Sequence, residues 1–160
     1  MPMQSGGISG GGNPFKQMIG GTPSNGATPV SPTQGWSYVR LDAANESYEW
    51  PIRSTYSSRL MMYKTGMTIE LLWFALGANG ATTFRFFATW KSEGETIPVT
   101  WDVDINPWNP GSIGALNTIV RLDITPLFGG IADGDYFGCV IRKLESDGNN
   151  VGIIGILISE

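Results

Sequence analysis

The stretch Phe84-Arg-Phe-Phe-Ala-Thr-Trp-Lys91 decides the fold class of this chain. Successive side chains of a β-strand point to opposite faces, so apolar residues at every second position predict a strand with one buried face. The residue types agree, because aromatic residues and Thr favour strands. The apolar set is Phe84, Phe86, Ala88 and Trp90, and the opposite set includes Arg85, Thr89 and Lys91.

Similar strand patterns recur along the chain on both sides of this stretch. They occupy residues 36–42, 67–76, 97–103, 120–124, 136–144 and 151–158. Turn sequences separate them, and Asp147-Gly148 before the last strand is typical of a hairpin. No segment combines a 3.6-residue apolar period with helix caps. About eight short strands without crossover helices predict an all-β fold, an antiparallel β-sandwich of jelly-roll type.

Residues 1–35 differ in composition from the rest of the chain. They hold nine of the 22 Gly, five of the ten Pro and a single charged residue, Lys16. Gly-rich chain is flexible, Pro-rich chain is extended, and both residues interrupt regular structure. The sequence therefore predicts a flexible Gly/Pro-rich N-terminal arm at residues 1–35 and a β-sandwich domain at residues 36–160.

Four apolar residues interrupt this arm: Ile8, Phe15, Met18 and Ile19. They permit two interpretations. The arm is either a disordered tail or a segment that becomes ordered when it docks on a neighbouring protein. Ordering costs conformational entropy, which burial of these side chains would offset. The four residues are therefore candidate protein contacts.

The charge content limits the possible partners. Charged residues make up 15% of the chain, against roughly 25% in a typical soluble domain, which suits a surface partly covered by other subunits. The basic residues are scattered apart from the pair Arg142–Lys143, so the clustered cations that grip nucleic acid are missing. No apolar run reaches the ~20 residues that span a bilayer. The N-terminus lacks the pattern of a signal peptide. We expect neither nucleic acid nor a membrane as a partner.

The residue types also limit catalysis. Without His and with one Cys, the chain cannot form a Ser-His-Asp site, a Cys-His site or a His- or Cys-based zinc site. Cys139 lies within a predicted strand and is expected to be buried. Glycoside hydrolysis needs two carboxyl groups that face each other across a sugar. Glu93 and Glu95 instead lie in a turn-like segment, and Asp102 and Asp104 share one solvent-facing side of a strand. We expect no enzyme and no cofactor.

Asp133 and Asp135 flank Gly134 and offer carboxylate oxygens of the kind that bind Ca²⁺. The remaining ligand positions of a calcium loop are missing. Asp and Gly also supply the backbone geometry of turns, so a turn is the favoured interpretation and no metal site is expected.

Of the six Trp, Trp36 opens the first predicted strand, and the other five divide into two groups. Trp73, Trp90 and Trp101 lie in predicted strands and are expected in the core. Trp108 lies between two prolines and Trp50 precedes one, and proline stiffens a loop so that it presents its indole. Trp108 has three interpretations: a lid over one end of the core, a protein contact, or a platform for a sugar ring. Trp50 and Trp108 join the candidate contacts.

Five segments of the chain together carry a resemblance to a known family: Trp36–Asp42, Glu46–Pro51, Met67–Leu76, Gly134–Arg142 and Val151–Ile158. In the last two, a Gly-Asp turn leads into a strand, a short polar hairpin follows, and an apolar strand closes the chain. Through these segments, residues 36–160 resemble the small β-sandwich proteins encoded in the structural modules of tailed phages. Such proteins often assemble as trimers and carry no catalytic residues.

The resemblance implies a virion structural protein. The first hypothesis is a capsid decoration (cement) protein on the head surface, assembled in the host cytoplasm as a homotrimer, whose arm clamps the major capsid protein. The alternative is a receptor- or carbohydrate-binding module of a tail fibre, as a sugar platform at Trp108 would suit. A jelly-roll capsid protein ranks last, because such shells usually carry a basic arm and this arm has one Lys.

Overall fold

The computed structural model describes residues 16–30, 37–50, 61–77, 82–96 and 100–160. Within these ranges the chain forms eleven strands and one 3-10 turn at Thr125–Leu127, and no helix there is long and apolar enough to cross a membrane. The strands are β1 (Lys16–Ile19), β2 (Thr22–Ser24), β3 (Thr28–Val30), β4 (Tyr38–Leu41), β5 (Ser47–Trp50), β6 (Thr68–Ala75), β7 (Phe84–Lys91), β8 (Val103–Trp108), β9 (Val120–Asp123), β10 (Tyr136–Lys143) and β11 (Val151–Ser159).

The strands form two antiparallel sheets with jelly-roll topology. Sheet A has the order β3-β4-β11-β6-β9, and β1 also pairs with β11; sheet B has the order β2-β5-β10-β7-β8. The eight strands from β4 to β11 thus divide into two sets of four, the arrangement produced by two Greek keys. The predicted antiparallel β-sandwich of jelly-roll type is confirmed.

The core lies between the two sheets and follows the predicted alternation. Phe84, Phe86 and Ala88 of β7 are fully buried, as are Ile69 and Leu71 of β6. Each inward side chain packs against the opposite sheet, while its neighbours in sequence face outward. The sandwich therefore has two outer faces, one on each sheet.

Residues 16–30 belong to the sandwich, contrary to the expectation of an arm without regular structure. β1 pairs with β11 in sheet A, β2 with β5 in sheet B, and β3 with β4 in sheet A again. Pro23 and Pro29 are tolerated because β2 and β3 are edge strands, where a missing N–H group leaves no ladder bond broken. Residues 1–15 and the predicted boundary at residue 35 lie outside the described residues.

The crossing from β1 to β2 is fixed by two aromatic side chains of β5. The indole N–H of Trp50 donates to the Ile19 carbonyl over 3.0 Å, and the Gly21 amide donates to the Tyr48 hydroxyl over 2.8 Å. A Cβ at Gly21 would lie 2.4 Å from the Glu49 carbonyl oxygen, so only Gly fits. This segment is anchored to the domain on both sheets.

Candidate ligand-binding face

Trp50 and Trp108 are not available as contact residues. Trp50 is 2% exposed, and Trp108 is 9% exposed and stacks on Trp73 with the ring centroids 6.1 Å apart. Trp108 also packs against Phe84 and Phe86. The prolines beside Trp108 therefore hold it as a lid over the core, the first of its three interpretations. The assignment of both indoles as contacts is corrected.

The candidate contacts of the predicted arm divide differently. Met18 is 43% exposed on the outer side of β1, as a contact residue should be. Ile19 is partly buried and packs against the core of its own domain, because its position on β1 faces the opposite sheet. Ile8 and Phe15 lie outside the described residues.

Trp101 lies on the outside of the molecule, although the alternation of residues 97–103 places it in the core. It is 45% exposed, and its ring packs on Phe87 with centroids 5.2 Å apart. The reason is local: β8 begins only at Val103, and the amide of Asp102 donates to the Ala88 carbonyl over 3.0 Å. Residues 100 and 102 are bends, so the alternation of β8 does not extend back to Trp101.

Four planar side chains meet on the outer face of sheet B and form what we call the platform: Arg85, Phe87, Trp101 and Arg142. Phe87 points outward from β7 yet is only 4% exposed, because the other three cover it. The guanidinium carbons of Arg85 and Arg142 lie 4.4 and 5.1 Å from the centre of its ring. Cations over an aromatic face are attracted by the ring quadrupole, which holds both guanidinium groups in place.

Two ion pairs lie beside the platform, on the side of β8. Arg85 donates to both oxygens of Asp104, over 2.8 and 2.6 Å. Asp102 accepts from the Thr89 hydroxyl over 2.7 Å and from the Lys91 ammonium over 3.2 Å. As predicted, both carboxylates face solvent, but only Asp104 belongs to β8 and Asp102 directly precedes it.

These contacts keep both carboxylates ionised. The hydrogen bond from Arg85 lowers the pKa of Asp104. Burial acts to raise the pKa of Asp102, but hydrogen bonds from the Trp90 amide, Thr89 and Lys91 outweigh it, and the pKa is lowered. A carboxylate that is ionised and paired at neutral pH does not serve as a proton donor. The pair contributes charge and shape to this face.

Arg142 differs from the other cations of this face. It lies directly opposite Arg85 in the register of β10 and β7, and like charges at such positions repel. Asp104 neutralises Arg85, but the Arg142 guanidinium has no ion pair or hydrogen bond to any described residue, and its Nε is buried. The platform thus carries one uncompensated positive charge.

The remaining candidate residues, Asp133, Asp135 and Cys139, belong to turns or to the core. Asp135 accepts from the Ser92 hydroxyl over 2.6 Å and from the Ala132 amide over 2.9 Å, and Asp133 accepts from the Thr65 amide. Both therefore hold turns. The described part of the chain contains no group of three or more metal-ligating side chains. Cys139 is fully buried, as predicted, and burial raises the pKa of its thiol.

No protein-family model and no curated protein sequence matches the chain. Among solved structures, it is similar to the Agl-KA catalytic domain, with 15% identity and a TM-score of 0.45 over 92% of this chain and 27% of that one. It is also similar to the C-terminal CBM6 of LamC, a marine laminarinase from Zobellia galactanivorans, with 16% identity and a TM-score of 0.45 over 92% of this chain and 100% of that one. The xylan-binding module CBM15 matches with 9% identity and a TM-score of 0.44 over 91% and 96%. The chain spans about a quarter of the first structure and nearly all of the other two.

Proposed function

We propose that this chain is a non-catalytic saccharide-binding module and that the platform is its binding surface. The observation that carries the proposal is the exposed indole of Trp101, which rests on the outward ring of Phe87. Trp50, Trp73 and Trp108 are all buried. A large aromatic ring left in water beside ordered polar groups is typical of a binding site.

The chemistry of the platform suits a sugar ring. One face of a pyranose presents C–H groups, which pack on the electron-rich face of an indole. The hydroxyl groups around the ring need donors and acceptors, which Arg85, Asp102 and Asp104 supply at the rim. Their ion pairs fix these groups before a ligand arrives, so binding costs little conformational entropy.

A saccharide microarray, followed by calorimetry on the sugars that bind, tests this proposal. Trp101→Ala should weaken binding by about tenfold or more, since Trp side chains commonly dominate binding energies. Leu116→Ala is the matched control, because Leu116 is a similarly exposed apolar residue beside β6 of sheet A. Unfolding midpoints show whether each variant remains folded. Equal binding by the intact protein and Trp101→Ala, or no binding of any saccharide, would contradict the proposal.

A virion structural role is the second candidate, and the outer face of sheet A favours it. That face carries a row of apolar side chains, which we call the apolar face: Met18, Tyr38, Leu72, Phe74 and Leu157. Apolar patches of this kind are commonly covered in assemblies. A decoration protein would pack this face against a sister copy in a homotrimer, which agrees with the low charge content of the chain.

Mass in solution by light scattering tests this second candidate. We expect a trimer for the intact protein and for a chain that starts at Lys16, and a monomer for Leu72→Asp. The shortened chain starts at Lys16 because removal of residues 1–35 would take β1, β2 and β3 from the sheets. A monomer at every concentration would contradict assembly through the apolar face.

A further inference from the structure

We infer that the saccharide bound at the platform is acidic and that its carboxylate pairs with Arg142. This inference rests on the proposed function and adds the chemical class of the ligand. It is based on a difference between the cations on the outer face of sheet B: two are paired with carboxylates and one is not.

Two of these cations already have partners. The Lys91 ammonium lies 3.2 Å from Asp102, and the Arg85 guanidinium lies 2.6 Å from Asp104. Arg142 has no such partner among the described residues. The terminal nitrogens of Arg142 remain available to an external acceptor, while its Nε is covered by the protein.

A carboxylate close to Arg142 does not pair with it. Glu49, on the neighbouring strand β5, belongs to the same outer face, because it lies opposite Val140 in the register. Its Oε1 instead accepts from the Ser47 hydroxyl over 3.2 Å. The position that Asp104 fills for Arg85 therefore has no counterpart for Arg142 within the described chain.

The position of Arg142 connects it to the sugar platform. Arg142 and Trp101 both contact the ring of Phe87. A saccharide stacked on the Trp101 indole therefore has Arg142 at its margin. Stacking on Phe87 orients the guanidinium plane in advance, and a planar guanidinium binds a carboxylate through two parallel hydrogen bonds.

The repulsion between Arg85 and Arg142 supports the same conclusion. Two like charges opposite each other on neighbouring strands destabilise a sheet, and Asp104 neutralises only one of them. A local conflict without compensation inside the chain is a feature of functional sites. A ligand carboxylate on Arg142 would compensate the second charge as Asp104 compensates the first.

The test uses matched saccharide pairs that differ only in charge: oligogalacturonates and their methyl esters, and sialylated glycans and their desialylated forms. We expect the acidic member of a pair to bind about tenfold or more tightly, since hydrogen bonds to charged groups are the strong ones. Arg142→Gln should abolish this preference. Arg121→Gln, which removes the same charge from the outer face of sheet A, should leave it unchanged.

The outcomes separate the inference from the proposed function. Equal binding of both members of every pair would overturn the acidic ligand and leave the saccharide-binding proposal standing. A preference for the acid that persists in Arg142→Gln would overturn the role of Arg142. If no saccharide binds, both proposals fail. A preference for uronates rather than sialylated glycans, or the reverse, identifies the source of the carboxylate.

Discussion

The two outer faces of the sandwich are both formed by antiparallel strands, but the surface of sheet B is polar and that of sheet A is apolar. On sheet B, the outward ring of Phe87 is covered by two guanidinium groups and an indole, and the neighbouring charges are paired. On sheet A, the outward ring of Phe74 packs edge-on against Tyr38 and stays partly exposed. The comparison shows that alternation determines which residues face outward, whereas their neighbours determine whether that surface is polar and rigid or apolar.

A glycine explains how Phe74 is accommodated on sheet A. Gly152 of β11 lies opposite Phe74 in the register, and a Cβ at Gly152 would lie 2.4 Å from the ring. The ring therefore lies over the bare backbone of the neighbouring strand. On sheet B, Phe87 lies opposite Val140, which has a side chain, so the Phe87 ring cannot lie over bare backbone. The side chains around Phe87 therefore lie on top of its ring.

Removal of the outward rings of Phe87 and Phe74 should have the largest effects on stability, and the two effects should differ. We expect Phe87→Ala to lower the free energy of unfolding by about 3 kcal/mol, because a covered ring is lost together with the packing of the three groups around it. Phe74→Ala should cost about half as much, because its ring is partly exposed. Urea unfolding measures both, and an equal cost would contradict the difference between the faces.

An added methyl group at Gly152 should have the next largest effect. Gly152→Ala forces the Phe74 ring to move, at a cost of about 1–2 kcal/mol. In a Phe74→Ala background that cost should disappear, because the obstructing ring is gone. Gly129→Ala is the control, since no atom lies within 4 Å of a Cβ there. Additive costs in the double variant would show that the ring is not what excludes a side chain.

The smallest effect concerns acid stability of the platform. The pKa of Asp104 in the folded protein lies below its ordinary value because of Arg85. Its contribution to stability is present above the unfolded pKa of about 3.9 and is lost as the pH falls through the folded pKa. Asp104→Asn should therefore flatten the decline of stability below about pH 4, as measured by urea unfolding at several pH values.

Other groups share this acid range, so the variant must be compared with its parent at each pH. Burial acts to raise the pKa of Asp147, but hydrogen bonds from Lys143 and Asn149 outweigh it and lower the pKa. Asp147 therefore loses its contribution in the same direction in both proteins. An unchanged pH profile in Asp104→Asn would show that the Arg85 pair does not stabilise this face.

Most of the jelly roll could be predicted from the sequence, because its strands alternate regularly. β7 begins and ends where the alternation predicts, and β4, β6, β9, β10 and β11 differ from the predicted runs by one or two residues. Strand β5 was not predicted, because it is only four residues long: Tyr48 and Trp50 alternate with Ser47 and Glu49, but two apolar residues are too few to establish a period. Strands β1 to β3 were not predicted, because the Gly and Pro residues in and around them were interpreted as interruptions of regular structure.

Little of the candidate site could be predicted. The position of Trp101 depends on the contacts of residues 101 and 102 with β7, which no local pattern reveals. One signal was present: Phe87 is an aromatic residue in the otherwise polar set of an alternating strand. An outward aromatic ring between outward Arg and Thr indicates a surface feature, and it lies at the centre of the platform.

A saccharide ligand should bind on the outer face of sheet B and leave sheet A unaffected. An NMR titration of the isotope-labelled protein with a saccharide that binds on the array tests it most directly. We expect shifts at the Trp101 indole and at the backbone amides of Thr89, Val140 and Arg142, with Gly152 and Gly155 of sheet A unchanged. Shifts centred on Gly152 and Gly155, with the Trp101 indole unmoved, would contradict it.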